Sequence, residues 1–306
     1  MDVPWVLRLR EVIMSNLEKR WLPFPVDEDI CEGWKRELGV SVSSSTVLYT
    51  SCMFHLAPVI ERAVEGLERW GAAEGGFRGA VAAIAAKTVG RLLLRPEEAE
   101  VKRADTVVRR IYQLLKEAGI DFGLLDREVY SGALLYELGL IDDFVKYARR
   151  VAEFFRERGV KRIITVDPHT HYVLEKIYPK YVEGFDVEVV SYLDLVKPGN
   201  VWIKGFAVHD SCLYARFLGR YDVVRALLRA GEPVEDPYIT GRETAGCCGG
   251  PVESLFPKVS RKVAELRVRE LSKLSDKVVV QCPICYVNLK RASGGRLELY
   301  HLPEVL

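Results

Sequence analysis

Five of the seven cysteines in this chain of 306 residues fall in one stretch, and their spacing strongly constrains the fold. Cys212 is followed after 34 residues by the adjacent pair Cys247 and Cys248, and after 33 more residues by Cys282 and Cys285. Strand-like apolar runs precede Cys212 and Cys282. Because strand ends and helix starts converge at one edge of an open α/β sheet, these thiols are expected to meet in space. The spacing therefore predicts an α/β fold with a metal site at a sheet edge.

The residues around these cysteines resemble a known family. Ala207 to Leu213 is similar to the histidine-aspartate-proline-cysteine segment of the cysteine-rich CCG domain, with Ser211 in place of the proline. Thr244 to Pro251 is similar to the double-cysteine loop of that domain. The domain occurs in the disulfide-cleaving B or D subunit of heterodisulfide reductase and in iron–sulfur subunits of lactate, glycolate and anaerobic glycerol-3-phosphate dehydrogenases. The resemblance implies an iron–sulfur oxidoreductase subunit.

The resemblance also implies a cofactor. In this family the five-cysteine set is associated with a [4Fe-4S] cluster of unusual, non-cubane geometry. The implied ligands are Cys212, Cys247, Cys248, Cys282 and Cys285. Four of these thiolates would also suit a structural zinc ion, so zinc is the alternative cofactor. A third reading is an assembly subunit that holds metal and performs no redox chemistry.

One histidine stands close to a predicted ligand. His209 lies three positions before Cys212, at the end of a predicted strand. It is a candidate for supporting the metal ligands by a hydrogen bond, or for a catalytic role as proton donor to a thiolate product. His55 and His301 have no such context, and we assign them no role.

An earlier part of the chain repeats the same order of strands and corners. Cys52 follows the predicted strand Thr46 to Thr50, and corners at residues 130–132 and 167–170 take the places of the other cysteine groups. The positions of the four missing cysteines are occupied by Tyr130, Ser131, Asp167 and Thr170. Since iron–sulfur clusters require thiolates, this half is predicted to hold no cluster. We therefore predict two tandem related modules with parallel-type sheets flanked by helices, the first of them degenerate.

The first half still contains groups that can bind metal. Cys52, Asp167, His169 and His171 form a candidate mixed zinc site, and the alternative is a solvated loop beside a buried thiol. Cys31 stands alone on a predicted helix and reads as a small buried hydrophobe. The clustered cysteines indicate a metal set in a reducing compartment and not a disulfide framework.

The predicted organisation has three parts. A helical segment covers residues 1–45, the degenerate module covers 46–185, and the complete module covers 186–306. The degenerate module carries an insertion near residues 71–104, and its Ala-rich section Gly79 to Leu94 reads as a helix. That helix packs on its own domain or docks a partner subunit.

Two details of the second module are also predicted. Its first strand is expected at Asp186 to Ser191. One long amphipathic helix is expected over Val252 to Leu274, with Pro257 tolerated near its start. Gly249 and Gly250 are expected to let the backbone approach the metal closely.

Composition restricts the partners. With 44 basic and 43 acidic residues, no net charge draws nucleic acid or an anionic membrane surface. No apolar run is long enough to span a bilayer, and the start lacks the features of a signal peptide, so we expect a cytoplasmic protein whose association with a membrane-bound complex stays open. The resemblance implies ferredoxin-like or flavoprotein redox partners, and a disulfide, a quinone or a dehydrogenase as the other redox component. Because heterodisulfide-cleaving relatives carry two complete cysteine sets, we read the chain as an electron-transfer subunit.

Overall fold

A computed structural model of the chain describes residues 3–36, 38, 44–70 and 94–306. Residues 79–93 of the predicted Ala-rich helix lie outside these described residues. The described α-helices are α1 Val3–Arg20, α2 Asp29–Glu32, α3 Met53–Trp70, α4 Glu98–Glu117, α5 Ala133–Glu137, α6 Ile141–Glu157, α7 Pro168–Tyr172, α8 Tyr178–Tyr181, α9 Tyr192–Leu195, α10 Tyr221–Leu228, α11 Pro257–Leu271, α12 Pro283–Ser293 and α13 Leu302–Val305. The described strands are β1 Thr46–Tyr49, β2 Gly123–Leu124, β3 Arg162–Thr165, β4 Glu188–Ser191, β5 Ala207–His209, β6 Lys277–Val280 and β7 Glu298–His301. Short turns of other helix types are the π-helical Val173–Ile177 and Leu213–Phe217 and the 3₁₀ turns Gly33–Lys35, Arg229–Gly231, Arg242–Thr244 and Val252–Ser254.

The strands form two parallel sheets. The first has the order β2-β1-β3-β4, and the second has the order β5-β6-β7. Val234 forms an isolated parallel bridge to Ala207 on the free side of β5, where β2 lies in the first sheet. The predicted α/β fold with parallel sheets flanked by helices is confirmed, and the order β5-β6-β7 corresponds to the order β1-β3-β4 within the first sheet.

One strand lies in a different sheet from the one predicted. The segment that begins at Asp186 was assigned to the second module, but β4 pairs with β3 along its whole length, with Ile163 opposite Val189. The first sheet therefore extends past residue 185, and the chain passes to the second sheet between Ser191 and Ala207.

The central strands are apolar on both faces because helices cover both sides of each sheet. Successive residues of β3 and β6 enter two different apolar cores. Ile163, Val278 and Val280 lie in one core, and Ile164 and Val279 lie in the other. Each core therefore contains side chains from both sheets, which packs the two halves of the chain into one body.

A disulfide bond joins Cys31 to Cys52, whose Cα atoms are 5.2 Å apart. Both residues are buried, as expected for Cys31, but the prediction that it stands alone is wrong, and so is the assignment of all the cysteines to a metal set. The cause is that α2 packs against the turn after β1, within one apolar core, and brings the two sulfurs together. The bond fixes the N-terminal segment to the first corner of the sheet.

The helix predicted over Val252 to Leu274 is divided. A 3₁₀ turn covers Val252–Ser254, and α11 begins only at Pro257. Proline has no backbone N–H and a fixed φ, so the first turn of a helix is the position that suits it best. Pro257 therefore starts the helix and does not lie within it.

Candidate metal centre

Three corners of the second sheet bring five sulfurs together. Cys212 follows β5, Cys247 and Cys248 lie in the loop after Arg242–Thr244, and the last two cysteines start α12 after β6. The sulfurs are neighbours in the order Cys212, Cys247, Cys248, Cys285, Cys282. All five are free thiols, unlike the first two cysteines of the chain.

The sulfurs differ in their exposure. Cys248, Cys282 and Cys285 are buried, whereas Cys212 and Cys247 are partly exposed. The centre therefore has an interior side and an edge that faces the surface.

Two glycines shape the double-cysteine loop. Gly249 has a φ of +96°, and a Cβ atom there would lie 2.6 Å from the backbone oxygen of Ser260. A Cβ atom on Gly250 would lie 2.5 Å from Cγ2 of Ile284. The loop is thus pressed against α11 and α12, so the glycines are required by protein packing as well as by any metal. The Gly249 N–H donates a hydrogen bond to Cys247 Sγ at 3.2 Å.

The environment favours thiolates at two of the five positions. A hydrogen bond from the Cys212 thiol lowers the pKa of Cys247 far below its ordinary value. Burial raises the pKa of Cys282, but Cys285 and His169 lower it by more, to about 5. Hydrogen bonds to neighbouring sulfurs raise the pKa of the other three thiols. The thiolate is the form that binds metal, so these two lowered pKa values favour metal binding.

His209 lies where the sequence predicts it, beside the sulfurs. One of its ring nitrogens and the sulfurs of Cys248 and Cys285 lie within 4.8 Å of one another. Its Nδ1 accepts a hydrogen bond of 3.1 Å from Nε of Arg267, and its Nε2 has no partner among the described residues. Burial and the Arg267 charge lower its pKa to about 3. The neutral ring offers a free nitrogen as a ligand or hydrogen-bond partner, whereas its role as a proton donor stays a prediction.

Arg267 was not singled out by the sequence. Its side chain is 2% exposed, and its guanidinium also contacts Thr240 and Glu270. It holds His209 in place beside the sulfurs, and its own charge is paired with Glu270 at 2.7 Å. The available signal was an arginine on the apolar face of an amphipathic helix.

His169, from the first half of the chain, also reaches this centre. Its Nε2 lies 3.3 Å from Cys282 Sγ, and its Nδ1 lies 2.5 Å from Oε1 of Glu137. The candidate mixed zinc site at His169 does not form, and the alternative of a solvated loop does not hold either, because Asp167, His169 and His171 are buried. Cys52 is bound in the disulfide, and His171 Nδ1 lies 2.7 Å from Thr165 Oγ1. The last member of the predicted site, Asp167, caps α7 through hydrogen bonds from the backbone.

Hydrogen bonds outside the thiols fix the corner at Cys212. Asp210 pairs with Arg225 through two contacts of 2.7 Å, and the backbone N–H of Ser211 donates to Oε1 of Gln281 at 3.1 Å. These contacts join the corner after β5 to the corner after β6. Asp210, Ser211 and Gln281 are buried, so these contacts hold the two corners together away from solvent.

Comparison with known proteins gives a family match at this site. Residues 206–290 match the family described as CCG, cysteine-rich domain. The chain is 26% identical over 223 residues to the "Probable iron-sulfur-binding oxidoreductase FadF" of Bacillus subtilis, a match that covers 67% of this chain and 31% of that protein. It is 27% identical over 207 residues to the "Probable membrane-anchored ferredoxin" of Chromohalobacter salexigens, covering 61% and 30%.

A third relative is the "EtfAB:quinone oxidoreductase" of Syntrophomonas wolfei, which is 31% identical over 159 residues, covering 48% of this chain and 22% of that protein. The chain thus spans less than a third of each of these relatives. Of the helices in the described part of the chain, none has the length and apolar character needed to cross a bilayer. Residues 206–290 are therefore similar to the CCG cysteine-rich domain, and the relatives include one protein named as a probable iron–sulfur-binding oxidoreductase and one named as a quinone oxidoreductase.

Proposed function

We propose that this chain is an electron-transfer subunit of an iron–sulfur oxidoreductase similar to heterodisulfide reductase. In this proposal one [4Fe-4S] cluster is bound by Cys212, Cys247, Cys248, Cys282 and Cys285. The observation that carries the proposal is the convergence of five free sulfurs from three corners of one parallel sheet. The names of the relatives support the same class of protein.

The surroundings of the sulfurs suit an iron–sulfur group. The amide nitrogens of Gln281 and Asn288 are buried and have no hydrogen-bond partner within the described residues, so both can donate to sulfur acceptors. Gly250, beside the paired cysteines, lies close to Asn288, and a Cβ atom there would lie 2.9 Å from its Nδ2. Hydrogen bonds to sulfur and exclusion of solvent are the means by which proteins tune such clusters.

Each side of the centre has a separate task in this proposal. When bound, the cluster supplies reversible one-electron transfer. Cys248, Cys282 and Cys285 hold it from the interior and keep water away, because they are buried. The partly exposed Cys212 and Cys247 form the edge that a redox partner can approach.

Five cysteines, where a cubane cluster needs four, support the non-cubane geometry that the family resemblance implies. A single complete set favours electron transfer over autonomous disulfide cleavage. The other redox component is then a disulfide, a quinone or a dehydrogenase, and the partners are ferredoxin-like or flavoprotein subunits. We place the assembly in the cytoplasm, where it can associate with a membrane-bound complex.

Metal analysis of protein purified without oxygen tests the proposal. We expect about four irons and matching sulfide per chain, with broad visible absorption. The matched control is the double variant Cys31→Ser/Cys52→Ser, which removes the other two cysteines and should keep the same iron content. Zinc as the dominant metal in a colourless protein would contradict the proposal.

The second candidate is a structural zinc protein, and one observation favours it. His209, Cys248 and Cys285 lie close enough to share an ion, and neutral histidine with thiolates is a common zinc ligand set. In that case about one zinc per chain is expected, and its removal by a chelator should unfold the second sheet.

A further inference from the structure

A cavity of about 300 Å³ lies beside the metal centre without being part of it. It lies between α1, α3 and the turn Val252–Ser254, and Trp5 in its wall donates a hydrogen bond of 3.1 Å to the Ser254 backbone. Most of its lining is apolar, including Leu9, Val12, Phe24, Leu56, Ile60 and Leu134. Its size and apolar character are those of a small-molecule site.

One end of the cavity is polar. His169, Glu137 and Glu253 line it there, and His169 is the residue that contacts Cys282. Glu253 is only 3% exposed, and its Oε2 has no hydrogen-bond partner in the described part of the chain. A buried polar atom without a partner is costly and indicates that a ligand completes its hydrogen bonding.

The charges around the cavity indicate a neutral ligand. Arg8 and Arg62 contribute positive charge, and Glu65, Glu137 and Glu253 contribute negative charge. Among the described residues that line the cavity, the arginines do not outnumber the carboxylates, so no surplus of positive charge there favours a carboxylate, phosphate or sulfonate group.

We propose that this cavity binds a quinone, with one ring oxygen at Glu253 and its apolar body between α1 and α3. The inference rests on the proposed function, because it names one class of redox component for the same centre. A carboxyl group can donate a hydrogen bond to a quinone carbonyl when protonated and accept one from a quinol hydroxyl when ionised. Burial raises the pKa of Glu253 to about 7, so both forms are accessible near neutral pH.

The position of the cavity favours a quinone over a disulfide. None of the five cysteines is among the described residues that line it, and His169 and Ile284 form the wall on that side. A disulfide in the cavity could not contact the sulfur centre directly, whereas an electron acceptor needs only to lie near it. A fatty acid is disfavoured because its carboxylate would face Glu253 and Glu137.

The test measures the binding of menadione, a short quinone, to the full chain. Binding is detected as quenching of the tryptophan fluorescence of the protein. We expect saturable quenching that is largely lost in Trp5→Phe, because Trp5 lies in the cavity wall. Ala63→Phe and Val12→Phe each place a ring in the cavity and should weaken binding by roughly tenfold or more. The matched control Ala99→Phe adds the same ring at an exposed site on α4 and should bind as wild type does. Glu253→Gln should weaken binding by about fivefold.

The outcomes separate this inference from the proposed function. Because none of the five cysteines is among the described lining residues, binding should persist in protein stripped of metal. If protein purified without oxygen contains no iron and still binds menadione, only the proposed function is refuted. Wild-type binding by both folded cavity variants, or quenching that does not depend on Trp5, would overturn the inference. If decanoate displaces menadione as strongly as a second quinone does, the cavity is a general lipid site, and the inference is also overturned.

Discussion

The corners after β3 and β6 have the same geometry but different chemistry. In the first sheet, Asp167 Oδ1 accepts hydrogen bonds from the backbone N–H groups of His169 and Thr170, at 2.9 and 3.0 Å. In the second sheet, Cys282 Sγ accepts one from the N–H of Cys285 at 3.4 Å. Each side chain caps the helix that follows it. A helix start that stabilises a carboxylate also stabilises a thiolate, so the same capping position can carry either a carboxylate or a thiol that is suited to bind metal.

The other corners differ in the same way. In the first sheet, Ser131 donates its N–H to Ser51 Oγ at 2.8 Å, and Cys52 is held by Cys31. In the second, the corresponding Cys248 and Cys212 are free thiols. The first sheet therefore uses its corners to hold the chain together, and the second keeps them available for a ligand.

The largest expected difference between the sheets is in metal content. Cys248→Ser should remove or convert most of the cluster, whereas Ser131→Ala at the corresponding corner should keep all the iron. The reason is that only the first change removes a thiolate from the converging set. Iron analysis and visible spectra of both variants check this, and equal loss in both would mean that the first sheet also holds metal.

Replacing the glycine that follows Cys247 and Cys248, or the one that follows Tyr130 and Ser131, should lower the free energy of unfolding by different amounts. Gly249→Ala should destabilise the metal-free protein by roughly 4 kcal/mol, which combines a left-handed backbone with a contact against a backbone oxygen. Gly132→Ala should cost about 2 kcal/mol, because its φ of +83° is also left-handed but its nearest neighbour is the movable ring of Tyr147. Urea unfolding measures both, and equal values would mean that the loop at Gly249 relaxes easily.

The disulfide should matter to stability and not to metal. Cys31→Ser/Cys52→Ser should lower the free energy of unfolding by about 3 kcal/mol, as expected for a bond that closes a loop of this length. Its iron content should equal that of wild type. Calorimetry and metal analysis on one preparation decide, and a variant that lost iron would show that Cys52 belongs to the metal centre.

The smallest effect concerns pH and one buried acid. Burial raises the pKa of Glu128 from its ordinary 4.5 to about 7. Between these two values the native state keeps a proton on Glu128 that the unfolded state releases. The contribution of protonated Glu128 to the free energy of unfolding is therefore fully present below pH 4.5 and is lost as the pH rises through about 7. In wild type the free energy of unfolding should fall by roughly 2 kcal/mol between pH 5 and pH 8 because of this group, and in Glu128→Gln this fall should be absent. Urea unfolding at both pH values measures it. The corresponding residue of the second sheet is the buried Ala245, which has no ionisable group. If the free energy of unfolding of Glu128→Gln depends on pH as that of wild type does, other acids cause the loss.

Local patterns were enough to predict much of this molecule. The apolar runs of β1, β3, β5 and β6 each end at a corner with chemically active residues, and the sequence shows both features directly. The cysteine spacing was sufficient to indicate that distant thiols meet. Pro257 is an exception, because proline suits the first turn of a helix but the sequence predicted one continuous helix from Val252.

Contacts between the halves of the chain were not predictable in this way. His169 and Cys282 are 113 residues apart in sequence, and their contact depends on how the two sheets pack. The Cys31–Cys52 bond requires α2 to reach the turn after β1, which no periodicity encodes. The sheet to which β4 belongs was likewise undetermined, because its alternating pattern fits an edge position in either sheet.

The pairing of β5 with β6 has a consequence for the order of assembly. The corners that these strands support, at Ser211 and Gln281, are 70 residues apart in sequence, so Cys212 joins the other thiols only after a long loop has closed. Cys282 and Cys285 are neighbours on one helical turn, and they can capture a stray ion while the strand is still unpaired. For the proposed cluster, closure of this long loop is therefore the folding step that completes the ligand set.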